Sequence, residues 1–146
     1  MEPNIPAAEW TAETMQFVRM QIRRTLHELS VDLNSRGGVY ICEILELLLR
    51  DPDRIERLSE PMKETADKYG IQLESLRSSI RVTLKKAWMD GGSDAQSRYF
   101  GNTISFSRGK PTESNFLITI AMHLRHVVDE YLRAPSPKPE ILPEEL

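Results

Sequence analysis

The sequence predicts an all-α fold of about six helices with a helix-turn-helix at its centre. Three observations predict it. Apolar residues recur at helical spacing through most of the chain. Capping residues, glycines and prolines break that pattern into segments of helix length. Between Ala66 and Ile80, a small residue, a glycine and a set of apolar residues stand at the spacing that two crossed helices require.

The elements follow in order. Residues 11–33 read as one long amphipathic helix, with Met15, Val18, Ile22, Leu26, Leu29 and Leu33 on its inward face. Thr11 is its candidate N-cap and Glu13 suits the positive end of the helix dipole. Arg36-Gly37-Gly38 is expected to end that run. A second helix is predicted over 39–50, burying Ile41, Ile44, Leu45, Leu48 and Leu49 and stopped by Asp51-Pro52. A short helical turn over 53–58 and a helix over 60–69, closed by Gly70, come next. Residues 72–89 form the most regular helix, closed by Gly91-Gly92. Residues 93–100 read as a brief helix. Residues 101–111 read as irregular, with a small hairpin at Thr103-Ile104-Ser105-Phe106 as an open alternative. Pro111-Thr112-Glu113-Ser114 opens a last helix that runs to Arg133. Residues 1–10 are then an N-terminal extension and 11–133 the domain. Residues 134–146, with four prolines and three glutamates, are expected to be a disordered tail.

Composition narrows the function. A chain of 146 residues suits one domain, and 40% hydrophobic with 28% charged residues is the balance of a globular protein. No apolar run approaches the ~20 residues that span a bilayer, and the N-terminus lacks the pattern of a secretory signal. One cysteine, Cys42, permits no internal disulfide, which fits a cytoplasmic location. The net charge is −3, but it is unevenly spread. Residues 71–110 carry seven basic and three acidic residues, a local +4, while the remainder carries −7. A basic stretch on an acidic body aims a protein at a polyanion, although solvated helix charges produce the same pattern.

Within the helix-turn-helix, Ala66 is the small residue at the crossing, Gly70 the turn, Ile71 the plug, and Leu76 and Ile80 the anchors of the second helix. An ordinary helical hairpin is the alternative reading. At 100° per residue, Leu73, Leu76, Ile80, Leu84 and Ala87 gather on one side of the 72–89 helix. The opposite side centres on Ser78, flanked by Glu74, Ser75, Arg81, Val82 and Lys85. Small side chains at that centre allow close approach to a major groove, and Arg81 can reach a guanine edge or a phosphate. On this reading Ser75, Arg77, Ser78, Arg81 and Lys85 face the groove of double-stranded DNA. Gln72, Lys86, Arg108 and Lys110 meet phosphate.

Over residues 22–127 the chain resembles the C-terminal DNA-binding (effector) domain of the stage-zero sporulation response regulators of endospore-forming bacteria. The likeness runs through Leu26-His27-Glu28-Leu29, Gly38, Tyr40, Glu43 and the helix-turn-helix. Its most specific pieces are Ile80-Arg81, Ala87-Trp88, Phe100-Gly101-Asn102-Thr103 and Lys110-Pro111-Thr112-Glu113-Ser114-Asn115-Phe116. The resemblance implies a six-helix bundle that binds DNA as tandem dimers through its fourth helix and touches the sigma subunit of RNA polymerase. Two departures stand out. The family domain follows a phosphoacceptor receiver, and only about twenty residues precede the match here. If these residues are the whole protein, phosphorylation of such a receiver is not its switch. The family's recognition helix also carries arginine, glutamate, arginine and histidine where this chain reads Ser75, Arg77, Ser78 and Val82, whereas Arg81 matches. An arginine lost from a base edge removes ~1–3 kcal/mol of discrimination, so the operator is expected to differ. The main expectation is a sequence-specific transcription regulator, dimeric on DNA. The alternative is a receiver-less interaction module that binds RNA polymerase or a full-length regulator.

Other chemistry finds little support. His123 and His126 are three apart on one helix, but no cysteine or carboxylate pair nearby in sequence completes a metal site. His27 and Cys42 fall on or beside apolar helix faces. Met15, Met20, Met62 and Met122 read as core filler, and Trp88 as a packing residue. No nucleophile–base order, phosphate loop or catalytic carboxylate pair is present, so no enzyme, metal or cofactor is expected.

Overall fold

The structure is a computed structural model that describes residues 9–101 and 110–134. Six α-helices and one 3-10 turn make up the described fold: α1 (Ala12–Glu28), α2 (Arg36–Arg50), the 3-10 turn (Pro52–Arg57), α3 (Ser59–Lys68), α4 (Leu73–Asp90), α5 (Ser93–Phe100) and α6 (Glu113–Arg133). Among the described residues there is no strand. The all-α expectation holds. Arg108, the candidate hairpin at 103–106 and the Pro/Glu tail beyond residue 134 lie outside the described residues.

Helix α1 starts at Thr11, whose hydroxyl accepts from the Thr14 amide at 3.0 Å. It ends five residues earlier than the apolar spacing predicts. Ser30 takes a left-handed φ of 65°, its amide donates to the His27 carbonyl and the Val31 amide to the Leu26 carbonyl. That pair of bonds is a Schellman closure, and the buried Val31 supplies its apolar contact. Leu33 continues the helical spacing by coincidence, from beyond the turn.

The second departure is larger. Arg36-Gly37-Gly38 does not separate two helices but forms the first turn of α2. Ser35 caps it, accepting from the Gly38 amide at 2.9 Å. Both glycines are buried for lack of space. A Cβ on Gly37 would collide with the Ser79 carbonyl and the Thr83 side chain of α4, and one on Gly38 with the Asp32 carbonyl. The helix cost of glycine, about 1 kcal/mol each against alanine, is borne where close approach demands it.

Helix α2 is the centre of the bundle and packs against α1, α3, α4 and α6. Its Ile41, Ile44, Leu45, Leu48 and Leu49 are all buried, as predicted. They meet Val18, Ile22 and Leu26 of α1, Leu76, Ile80 and Leu84 of α4, and Phe116, Ile120 and Leu124 of α6 in one apolar core. Trp88, Phe100 and Phe116 join α4, α5 and α6 at one end. Trp88 stands edge-on to Phe100 with centroids 5.3 Å apart, and Phe100 stacks on Phe116 at 5.7 Å. Of the described methionines, only Met62 is fully buried; Met20 and Met122 are exposed because their positions fall on the outward faces of α1 and α6. No helix among the described residues is long and apolar enough to cross a membrane.

Packing at the fully buried Ala66 and at Gly37 is testable. Ala66→Leu and Gly37→Ala should each lower unfolding stability by about 1–3 kcal/mol through overpacking. Gly92→Ala, with nothing within 4 Å of a new Cβ, should not. Urea denaturation checks this, and equal midpoints for Gly37→Ala and Gly92→Ala would contradict the packing at the α2–α4 crossing.

Candidate nucleic-acid interface

Helices α3 and α4 are joined by a second Schellman closure. Gly70 takes φ 68°, its amide donates to the Asp67 carbonyl, and the Ile71 amide donates to the carbonyl of Ala66 at 3.0 Å. Ala66 is completely buried, so the residue that closes the turn also belongs to the core. Ile71 packs against the core as the plug, and Leu76 and Ile80 are fully buried. The sequence-predicted spacing thus corresponds to a helix, a tight turn and a second helix locked into the bundle.

Thr83, which sequence reasoning passed over, is also buried. Its hydroxyl lies 3.0 Å from that of Ser35, the α2 cap. One serine therefore satisfies an orphan amide at the start of α2 and ties α2 to the middle of α4. With the buried side thus held, Ser75, Ser78, Val82 and Lys85 all lie exposed on the opposite face, and Val82 is 66% exposed. Glu74 shares that face.

The structure brings most of the predicted site residues onto or beside this surface. Gln72 is the exposed N-cap of α4 and makes no side-chain cap bond. Arg77 and Arg81 lie half-buried along the edge of α4 that meets α6. Lys86 sits further round and pairs with Asp90 at 3.3 Å. Lys110, half-buried, lies two residues before Thr112, the cap of α6. Arg108 lies outside the described residues.

The electrostatics were not visible in the sequence. Arg81 Nη2 donates to Glu74 Oε2 at 2.8 Å, and Arg81 Nη1 is 3.6 Å from Glu113 Oε1. Arg77 Nη1 is 3.9 Å from the same Glu113 oxygen. The hydrogen bond that Arg81 donates to Glu74, helped by the charge of Glu113, raises its already high pKa. Glu113 belongs to the first turn of α6, where Thr112 caps the helix by accepting from the Asn115 amide at 3.1 Å. Sequence spacing marks Glu113 as a helix opener; its pairing with residues 32 and 36 positions earlier has no local signal.

The other candidates have structural partners. His123 stands edge-on to Tyr99 with centroids 4.8 Å apart, and His126 faces Glu130 at 3.2 Å. Burial lowers the His123 pKa, with His126 adding to the effect. Among the described residues no three His, Cys, Asp or Glu side chains converge on a metal position. Cys42 packs against the core and its thiol pKa is raised by burial. His27 is exposed at the end of α1 rather than in the core. A second charged surface, between α1, α2 and α3, is internally matched: Arg19 and Arg50 both close on Glu46, at 3.0 and 2.8 Å, and Lys68 on Glu43 at 2.7 Å.

This geometry defines the class: an all-α bundle in which α3 and α4, joined by a tight turn, leave the outer face of α4 exposed. The family model for the sporulation initiation factor Spo0A C terminal matches residues 22–124, most of the chain. The chain belongs to this family of sporulation-factor DNA-binding domains, which are regulator domains rather than enzymes.

Ser35→Ala should cost about 1–2 kcal/mol, because it removes a helix cap and the bond to Thr83 together. Thr83→Val should cost less, since Ser35 keeps its cap. Chemical denaturation of both variants measures this, and a larger loss from Thr83→Val would contradict the double role of Ser35.

Proposed function

We propose that the chain is a sequence-specific transcription regulator of the cytoplasm that lays the outward face of α4 in the major groove of double-stranded DNA. The observation that carries this reading is the character of that face. Ser75, Ser78 and Val82 are exposed and short, so the helix backbone can approach base edges closely, and Arg77, Arg81 and Lys85 flank them. Arg81 lies about two turns into the helix, within reach of a base, with Arg77, Ser78 and Lys85 beside it. Gln72, Lys86, Arg108 and Lys110 supply phosphate contacts that set the register. The α4 amino terminus, lacking a side-chain cap, adds free amides suited to a phosphate. Residues 11–133 act as the working domain, without cofactor or catalysis, and the domain pairs on DNA as a dimer.

Contact with the sigma subunit of RNA polymerase belongs to the same proposal. A dimer has only a modest apolar surface to use on α6. Phe116, Ile120, Leu124 and Val128 are buried in the chain's own core, and Tyr131 stacks on Phe17 at 3.9 Å. Met122, 62% exposed, is the main apolar residue left on that helix.

One observation favours a second reading, an interaction module that binds RNA polymerase or a full-length regulator with little DNA affinity. The cations Arg77, Arg81 and Lys86 already have carboxylate partners within the chain. The pairs of Arg81 with Glu74 and of Lys86 with Asp90 are largely exposed and exchangeable, which leaves the DNA reading ahead.

Binding titrations on preferred and scrambled duplexes across a salt series separate the two. Arg81→Ala should lose at least tenfold more affinity for the preferred duplex than for the scrambled one. Lys86→Ala should weaken both alike and reduce the salt slope by about one unit, since one fewer phosphate is neutralised. Absence of salt-dependent binding to any duplex by the unmodified protein would favour the interaction module.

A further inference from the structure

We propose that Glu113 is a positioning residue for DNA reading: it holds Arg77 and Arg81 from the side, so that Arg81 presents its remaining nitrogen edge to one base when DNA displaces Glu74. The inference rests on α4 being the DNA-reading helix.

Arg81 is held by two carboxylates of different character. Glu74 comes from the same helix, its side chain is 76% exposed, and it takes Nη2 at 2.8 Å. Glu113 comes from α6, its side chain is only 14% exposed, and it stands 3.6 Å from Nη1. An exposed pair is weak and exchangeable, so an incoming phosphate or base acceptor readily replaces Glu74. Glu113 is fixed by contrast. It lies in the first turn of α6, where the helix dipole favours a carboxylate, and that turn is capped by Thr112. Its Oε1 also faces Nη1 of Arg77 at 3.9 Å, so one oxygen gathers both arginines against the edge of α4.

The geometry assigns the nitrogens. With Glu113 at Nη1 and Glu74 gone, Nη2 and Nε of Arg81 form a free two-donor edge, the arrangement that matches O6 and N7 of guanine. An unheld arginine has many rotamers and finds phosphate on any sequence. A held one has little conformational freedom left to lose on binding, and it is aimed at one place. Glu113 thereby converts a non-specific cation into a reader of one base, while Glu74 competes with DNA for the same nitrogen.

Four proteins test this: wild type, Glu74→Gln, Glu113→Gln and Glu113→Asp, each titrated on a preferred duplex selected from a random library and on its scrambled counterpart. Glu74→Gln should tighten binding to both. Glu113→Gln should reduce the preferred-to-scrambled ratio about tenfold without weakening scrambled binding. Glu113→Asp keeps the charge but is one methylene shorter, and it should lose discrimination as well, which a pure net-charge effect does not explain. In the free protein, 15N relaxation at arginine Nε should show Arg77 and Arg81 both more mobile in Glu113→Gln, and only Arg81 more mobile in Glu74→Gln. If wild type discriminates between the duplexes and both Glu113 variants discriminate equally well, this inference is overturned while the DNA reading stands. If wild type binds no duplex in a salt-dependent way, the DNA reading falls and takes this inference with it.

Discussion

Helices α2 and α4 cross at Gly37, where the backbone of one meets the Ser79 carbonyl and Thr83 side chain of the other with no room for a Cβ between them. Much else depends on that approach. It seats Leu76, Ile80 and Leu84 of α4 against α2, and it brings the hydroxyls of Ser35 and Thr83 within 3.0 Å. The buried Thr83 hydroxyl needs a partner, and Ser35, which also meets the Asp32 carbonyl and the Gly38 amide, supplies it. The crossing therefore fixes the rotation of α4 as well as its distance, and with it which side chains point outward.

The remaining contacts of α4 reinforce the same orientation from both ends. The Gly70 turn, closed through the Ala66 carbonyl, sets where α4 begins. The cluster of Trp88, Phe100 and Phe116 holds its far end against α5 and α6. Helix α6 then contributes in two ways. Its apolar side completes the core, and its first turn reaches the outward edge of α4 through Glu113. On the proposed reading, folding and recognition are linked at that point, because the element that packs the bundle also holds the arginines.

Much of this was legible in the sequence, and the reasons differ by element. The buried faces of α2 and α4 follow from apolar spacing, which tertiary packing left intact. The turn at Gly70 was legible because a left-handed residue there needs glycine. Ser30 also takes a left-handed φ but carries no such signal, and the apolar spacing through Leu33 concealed the end of α1. Gly37 and Gly38 misled in the opposite sense. Glycines next to polar residues read as a turn, but these two serve a close helix approach that only the partner helix reveals. The same limit applies to the site. Helical periodicity placed Ser75, Ser78, Val82 and Lys85 on one face, while the pairing of Arg77 and Arg81 with Glu113 depends on contacts more than thirty residues apart. On α6, too, apolar spacing alone does not tell surface from core, and most of its apolar band is spent on the core.

The central claim is that the outward face of α4 is the surface that meets DNA. Amide chemical-shift mapping with a short duplex at low salt tests it directly. Perturbations should centre on Gln72, Ser75, Ser78, Val82 and Lys85 and extend to Lys110 and Glu113, with the charged surface around Arg19, Glu46 and Lys68 unaffected. Perturbations centred on that second surface, or none anywhere, would contradict it.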